Sequence, residues 1–272
     1  GLLVERLSSI DNYRFEYIIS PKTSIYAETE LNMIDYEEEP HYYYKNVFGE
    51  SIAYSLFDVS TWSNSVGFGW AAFSKIKLYG SFFYGDTSVD TNLKSMGLRP
   101  DSYIYGSRIS AVGDFTDKLT GQVQLGYQTR EFDRFSDGIA GNSHGTPIFN
   151  VRLNYQYTEK GEVAFRYNRQ GTVSVEDPNI AVESDLISML INQKIGSTGR
   201  YKATVDLSYN ILSYENRGDL QYNNFLVNTG LVYSFNQWMS ANLTYGLEIF
   251  QSNQDNVDYT SNRVMLGLSV GY

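Results

Sequence analysis

The chain ends on a segment, Thr260 to Tyr272, that alternates almost without interruption. Val264, Leu266, Leu268, Val270 and Tyr272 fall on one side, and Arg263, Met265, Gly267, Ser269 and Gly271 on the other. Successive side chains of a β-strand point to opposite faces, so a period of two marks a strand lying between two different environments. One face here is apolar and ends on an aromatic. The other, apart from Met265, is polar or tiny. That is the pattern of the closing strand of an outer-membrane β-barrel, with a lipid face, a lumen face and an interfacial aromatic.

The same alternation recurs along the chain. Residues 201–211 place Tyr201, Ala203, Val205, Leu207, Tyr209 and Ile211 against Lys202, Thr204, Asp206, Ser208 and Asn210. Residues 239–249 and 149–157 behave alike. Short polar turns follow aromatic or apolar strand ends at Ser20-Pro21-Lys22-Thr23, Phe73-Ser74-Lys75-Ile76, Phe115-Thr116-Asp117-Lys118-Leu119, Tyr157-Thr158-Glu159-Lys160-Gly161, Ile195-Gly196-Ser197-Thr198-Gly199 and Phe235-Asn236-Gln237-Trp238. From Ser74 they recur roughly every 40 residues, the period of a two-stranded hairpin plus one longer loop. Long polar stretches lie between them. Short turns at one end and long loops at the other distinguish a membrane barrel from a soluble sandwich, whose turns recur roughly every 8–12 residues.

Hydropathy does not reveal such a fold. Mean hydropathy is −0.34 with 42% hydrophobic residues. No apolar run reaches the roughly 18 residues of a spanning helix, because only alternate residues of a barrel face lipid. Tyrosine is the outlier, at 24 against 3 Trp. Its amphipathic ring suits membrane interfaces, and also carbohydrate contact. The absence of cysteine excludes disulfides, thiol catalysis and Cys-based zinc sites. A net charge of −10 leaves no basic footprint for nucleic acid. Residues 1–9 have neither a basic region nor a long apolar core, so no signal peptide is read there and the chain is expected to be mature, processed or truncated.

Residues 1–272 are therefore expected to form one all-β domain, a transmembrane antiparallel up-and-down β-barrel in the bacterial (Gram-negative) outer membrane. Thirteen strands are predicted: 10–19, 24–36, 61–73, 76–86, 102–114, 119–131, 147–157, 162–173, 183–195, 200–213, 223–235, 238–250 and 260–272. Bacterial single-chain barrels have an even count, so about 14, give or take two, is expected if the chain closes alone. The alternative is a larger barrel lacking N-terminal strands. Residues 37–60 are the hardest to read, and Ser51 to Val59 fits a strand, a short helix or an inserted loop.

The polar faces carry charge. Inward positions include Arg14, Glu16, Glu28, Glu30, Arg108, Arg130 and Arg152, and further on Glu162, Arg166, Lys202, Asp206, Glu248 and Arg263. Charges at membrane depth need a wet or paired interior. They either brace the wall or line a transport path. Arg108, Arg130, Arg152 and Arg166 come from four consecutive strands and are expected to form a basic wall facing Glu28 and Glu30, with a transverse field that orients polar or anionic cargo.

The loops are acidic, at Glu37-Glu38-Glu39, Asp133, Asp137, Glu176-Asp177, Glu183, Asp185, Asp255 and Asp258. A solvated surface is the plain reading, and cation bridging to lipopolysaccharide the sharper one. No stretch has EF-hand spacing, and no metal or cofactor is expected. Chemistry finds little support. The two histidines, His41 and His144, fall in loops. Ser143 and His144 are adjacent, so they rarely face one another, and no carboxylate is specified to orient them. There is no G-x-S-x-G motif, and no enzyme activity is expected.

The segment Asp258-Tyr259-Thr260-Ser261-Asn262-Arg263-Val264-Met265-Leu266-Gly267-Leu268-Ser269 resembles the ending of the outer-membrane β-barrel porin family found in bacterial exopolysaccharide and capsule operons. The short turns Phe73-Ser74-Lys75 and Phe115-Thr116-Asp117-Lys118 are similar too. The resemblance implies a conduit for a secreted polysaccharide, working with periplasmic or inner-membrane partners and embedded among membrane lipid and lipopolysaccharide. It carries over no catalytic residues. The rival readings are a general diffusion porin for small solutes and a structural or accessory barrel of a secretion assembly.

Overall fold

The computed structural model describes residues 6–36, 41–45, 51–55, 58–90, 101–132, 143–173, 181–196, 198–214, 220–253 and 258–271. Among them are fifteen strands: β1 (Arg6–Ser20), β2 (Thr23–Tyr36), β3 (His41–Lys45), β4 (Ser51–Ser55), β5 (Asp58–Trp70), β6 (Ile76–Asp90), β7 (Ser102–Asp114), β8 (Leu119–Phe132), β9 (Ser143–Thr158), β10 (Gly161–Val173), β11 (Ala181–Ile195), β12 (Tyr201–Tyr214), β13 (Gln221–Ser234), β14 (Met239–Ser252) and β15 (Tyr259–Val270). Thirteen form one sheet in sequence order, each antiparallel to its neighbours, while β3 and β4 form a separate hairpin inside the β2–β5 connection. This is the wall of an up-and-down barrel, with a strand count inside the predicted range. The ambiguous residues 51–55 are half of the inserted hairpin. Two added strands leave the up-down alternation on either side undisturbed.

The short turns share one device. Ser20, Thr116, Thr158 and Asn236 each accept, through a side-chain oxygen, the backbone N–H two residues on, at 3.0–3.3 Å. A hydroxyl or amide that replaces a backbone acceptor closes a tight turn without help from elsewhere. At the β11–β12 turn, Gly196 and Gly199 take φ of 79° and 64°, a region that glycine enters without steric cost.

Register carries one face across the whole sheet. Arg14 opposes Glu28, Glu28 opposes Ser65, Ser65 opposes Phe83 and Phe83 opposes Gly106. Onward to β15 inward positions keep opposing inward positions. The opposite face is apolar and uncovered: Phe15, Phe82, Val264 and Leu266 are each at least 70% exposed. Among the described residues only Tyr26, Phe132, Ile148, Val182 and Leu220 are buried hydrophobics. A soluble sandwich would hide its apolar face in a core. Here that face points outward, which is stable only against lipid.

Aromatics bound the apolar band at both ends. Near the short turns lie Trp70, Phe73, Tyr155, Trp238 and a run of contacts from Tyr201 through Tyr233 to Phe235, with centroids 4.7 and 4.8 Å apart. Toward the long loops the outward hydroxyls of Tyr105, Tyr167, Tyr209 and Tyr245 donate to Glu131, Asp185, Asn223 and Asn262 at 2.7–3.2 Å. Each acceptor stands two residues nearer the loop end on the adjacent strand, so each tyrosine keeps its ring in the apolar zone and its tip in the polar one. On β12, Tyr201 and Tyr209 are separated by about 26 Å of strand, or about 20 Å of height at the usual tilt, close to the apolar band of an outer membrane.

Val205 lies halfway between those two tyrosines and faces outward. Val205→Arg is expected to cost about 2–4 kcal/mol in bilayer-embedded unfolding, whereas Ser208→Arg on the inner face should cost little. Urea titrations in liposomes, followed by tryptophan fluorescence, measure both. Equal costs would contradict the assignment of faces.

Candidate functional site

The inner face lines a cavity of about 860 Å³. Strands β1, β2 and β5 bring Asn12, Glu28, Glu30, Ser63 and Ser65 to one side, and β7 to β10 bring Arg108, Gln122, Gln124, Asn150, Arg152, Arg166 and Asn168 to the other. Five of the charged residues singled out from the sequence thus converge: Glu28, Glu30, Arg108, Arg152 and Arg166. Parity explains the convergence, since all occupy inward positions of strands whose register shifts fall only at the short-turn end.

The carboxylates and arginines are not equally free. Glu28 accepts from Asn12 at 3.3 Å and from Arg14 at 3.4 Å. Arg14 also lies 3.8 Å from Glu16, and its guanidinium stacks 4.0 Å above the Tyr26 ring. This corner braces itself. Glu30 has no ion-pair partner among the described residues. Arg108 donates to the Ser81 and Ser65 hydroxyls at 3.2 and 3.4 Å and sits 5.5 Å from the Phe83 centroid. Arg152 and Arg166 reach no carboxylate among the described residues. Three cations therefore share the cavity with one unneutralised carboxylate, Glu30, inside a protein of net charge −10.

The other predicted positions share the inner face but not this cavity. Arg130 is a correction to the predicted basic wall: it is 7% exposed and donates to Ser102 at 2.7 Å and Thr87 at 3.4 Å, tying β6, β7 and β8 together. Arg14 and Glu16 belong to the braced corner. Glu162 accepts from Asn192 at 3.0 Å and with Lys202 lines a small hollow near the short turns. Asp206 and Arg263 line another, and Glu248 accepts from Asn224 and Tyr259 at 3.1 and 2.9 Å. The amides Gln122, Gln124, Asn150 and Asn168 escape a search for charges, yet they alternate in step with the arginines, and that parity marks them.

The long-loop end is partly filled. Although β9 reaches Ser143 and β10 reaches Val173, their pairing stops at Phe149–Arg169. Beyond it, contacts skip a strand. Gln128 Nε2 donates to the Gly171 carbonyl at 2.7 Å, and His144 Nε2 lies 3.7 Å from Glu183 Oε1. Gln128 and His144 are inner-face positions, while Gly171 and Glu183 are outer-face ones. The end of β10–β11 therefore passes inside the end of β8–β9. Thr146, 1% exposed, is buried at this overlap. Ser143 and His144 occupy opposite faces of β9. Of the acidic loop residues, Glu183 and Asp185 hold Arg169 at 2.6 and 3.3 Å, and Asp258 accepts the Ser252 N–H. Tyr272, Glu37, Glu38, Glu39, Asp133, Asp137, Glu176, Asp177 and Asp255 lie outside the described residues. Among the described residues no cluster of His, Asp and Glu has the geometry to hold a metal.

Outside the membrane span, two adjacent short turns are joined by Lys75 Nζ and Asp117 at 2.7 Å. That hydrogen bond raises the Lys75 ammonium and lowers the Asp117 carboxyl from their ordinary values.

An outward apolar band, aromatic borders and a polar, charged interior define an outer-membrane β-barrel channel. The chain belongs to the family described as putative beta-barrel porin 2, whose model matches residues 41–272. The fold is similar to the FrpB iron transporter from Neisseria meningitidis (F3-3 variant), with a TM-score of 0.57 and 10% identity over 98% of this chain and 49% of that one. It is also similar to the copper transporter OprC, with a TM-score of 0.57 and 10% identity over 99% and 51%. The chain thus spans about half the length of these structures. No curated protein sequence matches it. The protein resides in the bacterial outer membrane.

A Cβ on Gly171 would meet Thr146 Oγ1 at 2.7 Å and Gln128 Nε2 at 2.8 Å. Gly171→Val is expected to push the end of β10–β11 away from the wall and further into the lumen, and so to lower single-channel conductance in planar bilayers. An unaltered conductance would show that the overlap does not narrow the path.

Proposed function

We propose that the channel is a conduit for a secreted polysaccharide, without chemistry of its own. The observation that supports this most is the cavity lining: amides and arginines on one inner wall, carboxylates on the other. Amide side chains both donate and accept, which suits hydroxyl-rich cargo that slides past many equivalent partners. Weak, repeated contacts let cargo enter without trapping it. The resemblance to the porin family of exopolysaccharide and capsule operons points the same way. On this reading a periplasmic or inner-membrane partner feeds the channel in a Gram-negative envelope, and lipopolysaccharide surrounds the loop end.

A second reading, general diffusion of small solutes, is favoured by the overlap of β10–β11 with β8–β9, which reduces the opening. Proteoliposomes loaded with labelled polysaccharide separate the two. Efflux of polysaccharide supports the conduit; a steady ion current with polysaccharide retained supports the porin.

The transverse field has its own test. The triple substitution Arg108→Gln, Arg152→Gln and Arg166→Gln should shift bilayer reversal potentials toward cation preference. Glu28→Gln with Glu30→Gln should shift them toward anions. Unchanged selectivity in both would remove the field from the account.

A further inference from the structure

Arg152 and Arg166 stand directly opposite each other on β9 and β10, which sets their Cβ atoms about 4.5–5.5 Å apart. Like charges so placed repel and cost stability. Three other inward arginines are held by the wall: Arg14 has Glu16 and Glu28, Arg130 has Ser102 and Thr87, and Arg108 has two hydroxyls and a ring. Arg152 and Arg166 are not. Their row continues into Gln122 on one side and Ser188 on the other, with no carboxylate in reach among the described residues. Both guanidinium groups are exposed to the cavity.

The next inward row toward the loop end is built of amides. Gln124 opposes Asn150, Asn150 opposes Asn168, and Asn150 donates to Asn168 at 3.4 Å. Two inward rows lie about 7 Å apart along the strands, the length scale of one sugar ring. Across the cavity, Glu30 presents an unneutralised carboxylate.

We infer that the paired arginines Arg152 and Arg166, with the amide row above them, form a binding site for the acidic sugar units of a saccharide. The guanidinium forks take the sugar carboxylate in paired, charge-assisted hydrogen bonds. The amides take the ring hydroxyls. Glu30 repels the carboxylate and turns the acidic edge of the ring toward the arginines. Bound anion relieves the repulsion within the pair, so occupancy is favoured by the same charges that destabilise the empty site. The inference rests on the reading of the cavity as a saccharide path and narrows that reading to acidic cargo.

The test is isothermal titration of the full, detergent-solubilised protein with oligogalacturonate, a neutral maltooligosaccharide of equal length, and inorganic sulfate. The expected result is that oligogalacturonate binds most tightly. Arg152→Gln with Arg166→Gln should weaken it by about tenfold or more, the scale of a lost charge-assisted contact, and leave the neutral oligomer unchanged. Arg152→Lys with Arg166→Lys should restore part of the affinity. Asn150→Ala with Asn168→Ala should weaken both oligomers. Gel mobility before and after heating checks that each variant is folded. Equal binding of acidic and neutral oligomers, no binding of oligogalacturonate, equal binding of sulfate alone, or indifference to the arginine substitutions would each overturn the site. Titration needs no transport: binding without polysaccharide efflux rejects the conduit and keeps the site, and efflux without binding does the reverse.

Discussion

Everything in this molecule depends on the requirement that a backbone in lipid satisfy its own hydrogen bonds. Water is absent at that depth, and each unpaired N–H or C=O costs several kcal/mol. The ladder from β1 to β15 meets the requirement strand by strand. Because side chains alternate, a continuous ladder also transmits orientation, and a slip of one residue would exchange the lipid and lumen faces. The register shifts seen in the sheet, at Ile18/Ser20 and Gly161/Val163, both fall at the short-turn end, beyond the apolar band. Within the band the parity is unbroken, and so residues as distant as Glu30 and Arg166 face the same space.

The same requirement bears on the two edges. β1 and β15 both run from the long-loop end to the short-turn end, and they do not pair with each other among the described residues. Antiparallel closure between strands of like direction takes an odd number of strands between them. Lumen width grows with strand number, so the geometry at this seam also sets how wide a path the inner face encloses.

Inward charges have two fates, and neighbours rather than position decide between them. Arg14 and Arg130 are structural: one stacks on Tyr26 between two carboxylates, the other is sunk beneath serine and threonine hydroxyls. Arg152 and Arg166 occupy equivalent inward positions but stand opposite each other, flanked by Gln122 and Ser188 with no carboxylate among the described residues. A wall that leaves two directly opposed arginines without a carboxylate, beside a row of amides, concentrates positive charge at one place. With low-dielectric surroundings such a place attracts counter-charge strongly.

The sequence by itself determined the strands, their faces and the membrane address. Strand β7 runs over 102–114 as its alternation predicts, and Val264, Leu266, Leu268 and Val270 are exposed on one face as the closing strand requires. These were legible because a period of two and a turn closed by its own Ser, Thr or Asn are local properties, encoded within a few residues. The β3–β4 hairpin was not legible, since its strands are five residues long and pack outside the main register. Nor was the burial of Arg130, the opposition of Arg152 to Arg166, or the passage of β10–β11 inside β8–β9. Tertiary structure alone decided these. Parity tells which face a residue takes, but only the stagger between strands and the bending of their ends tell which residues meet across that face.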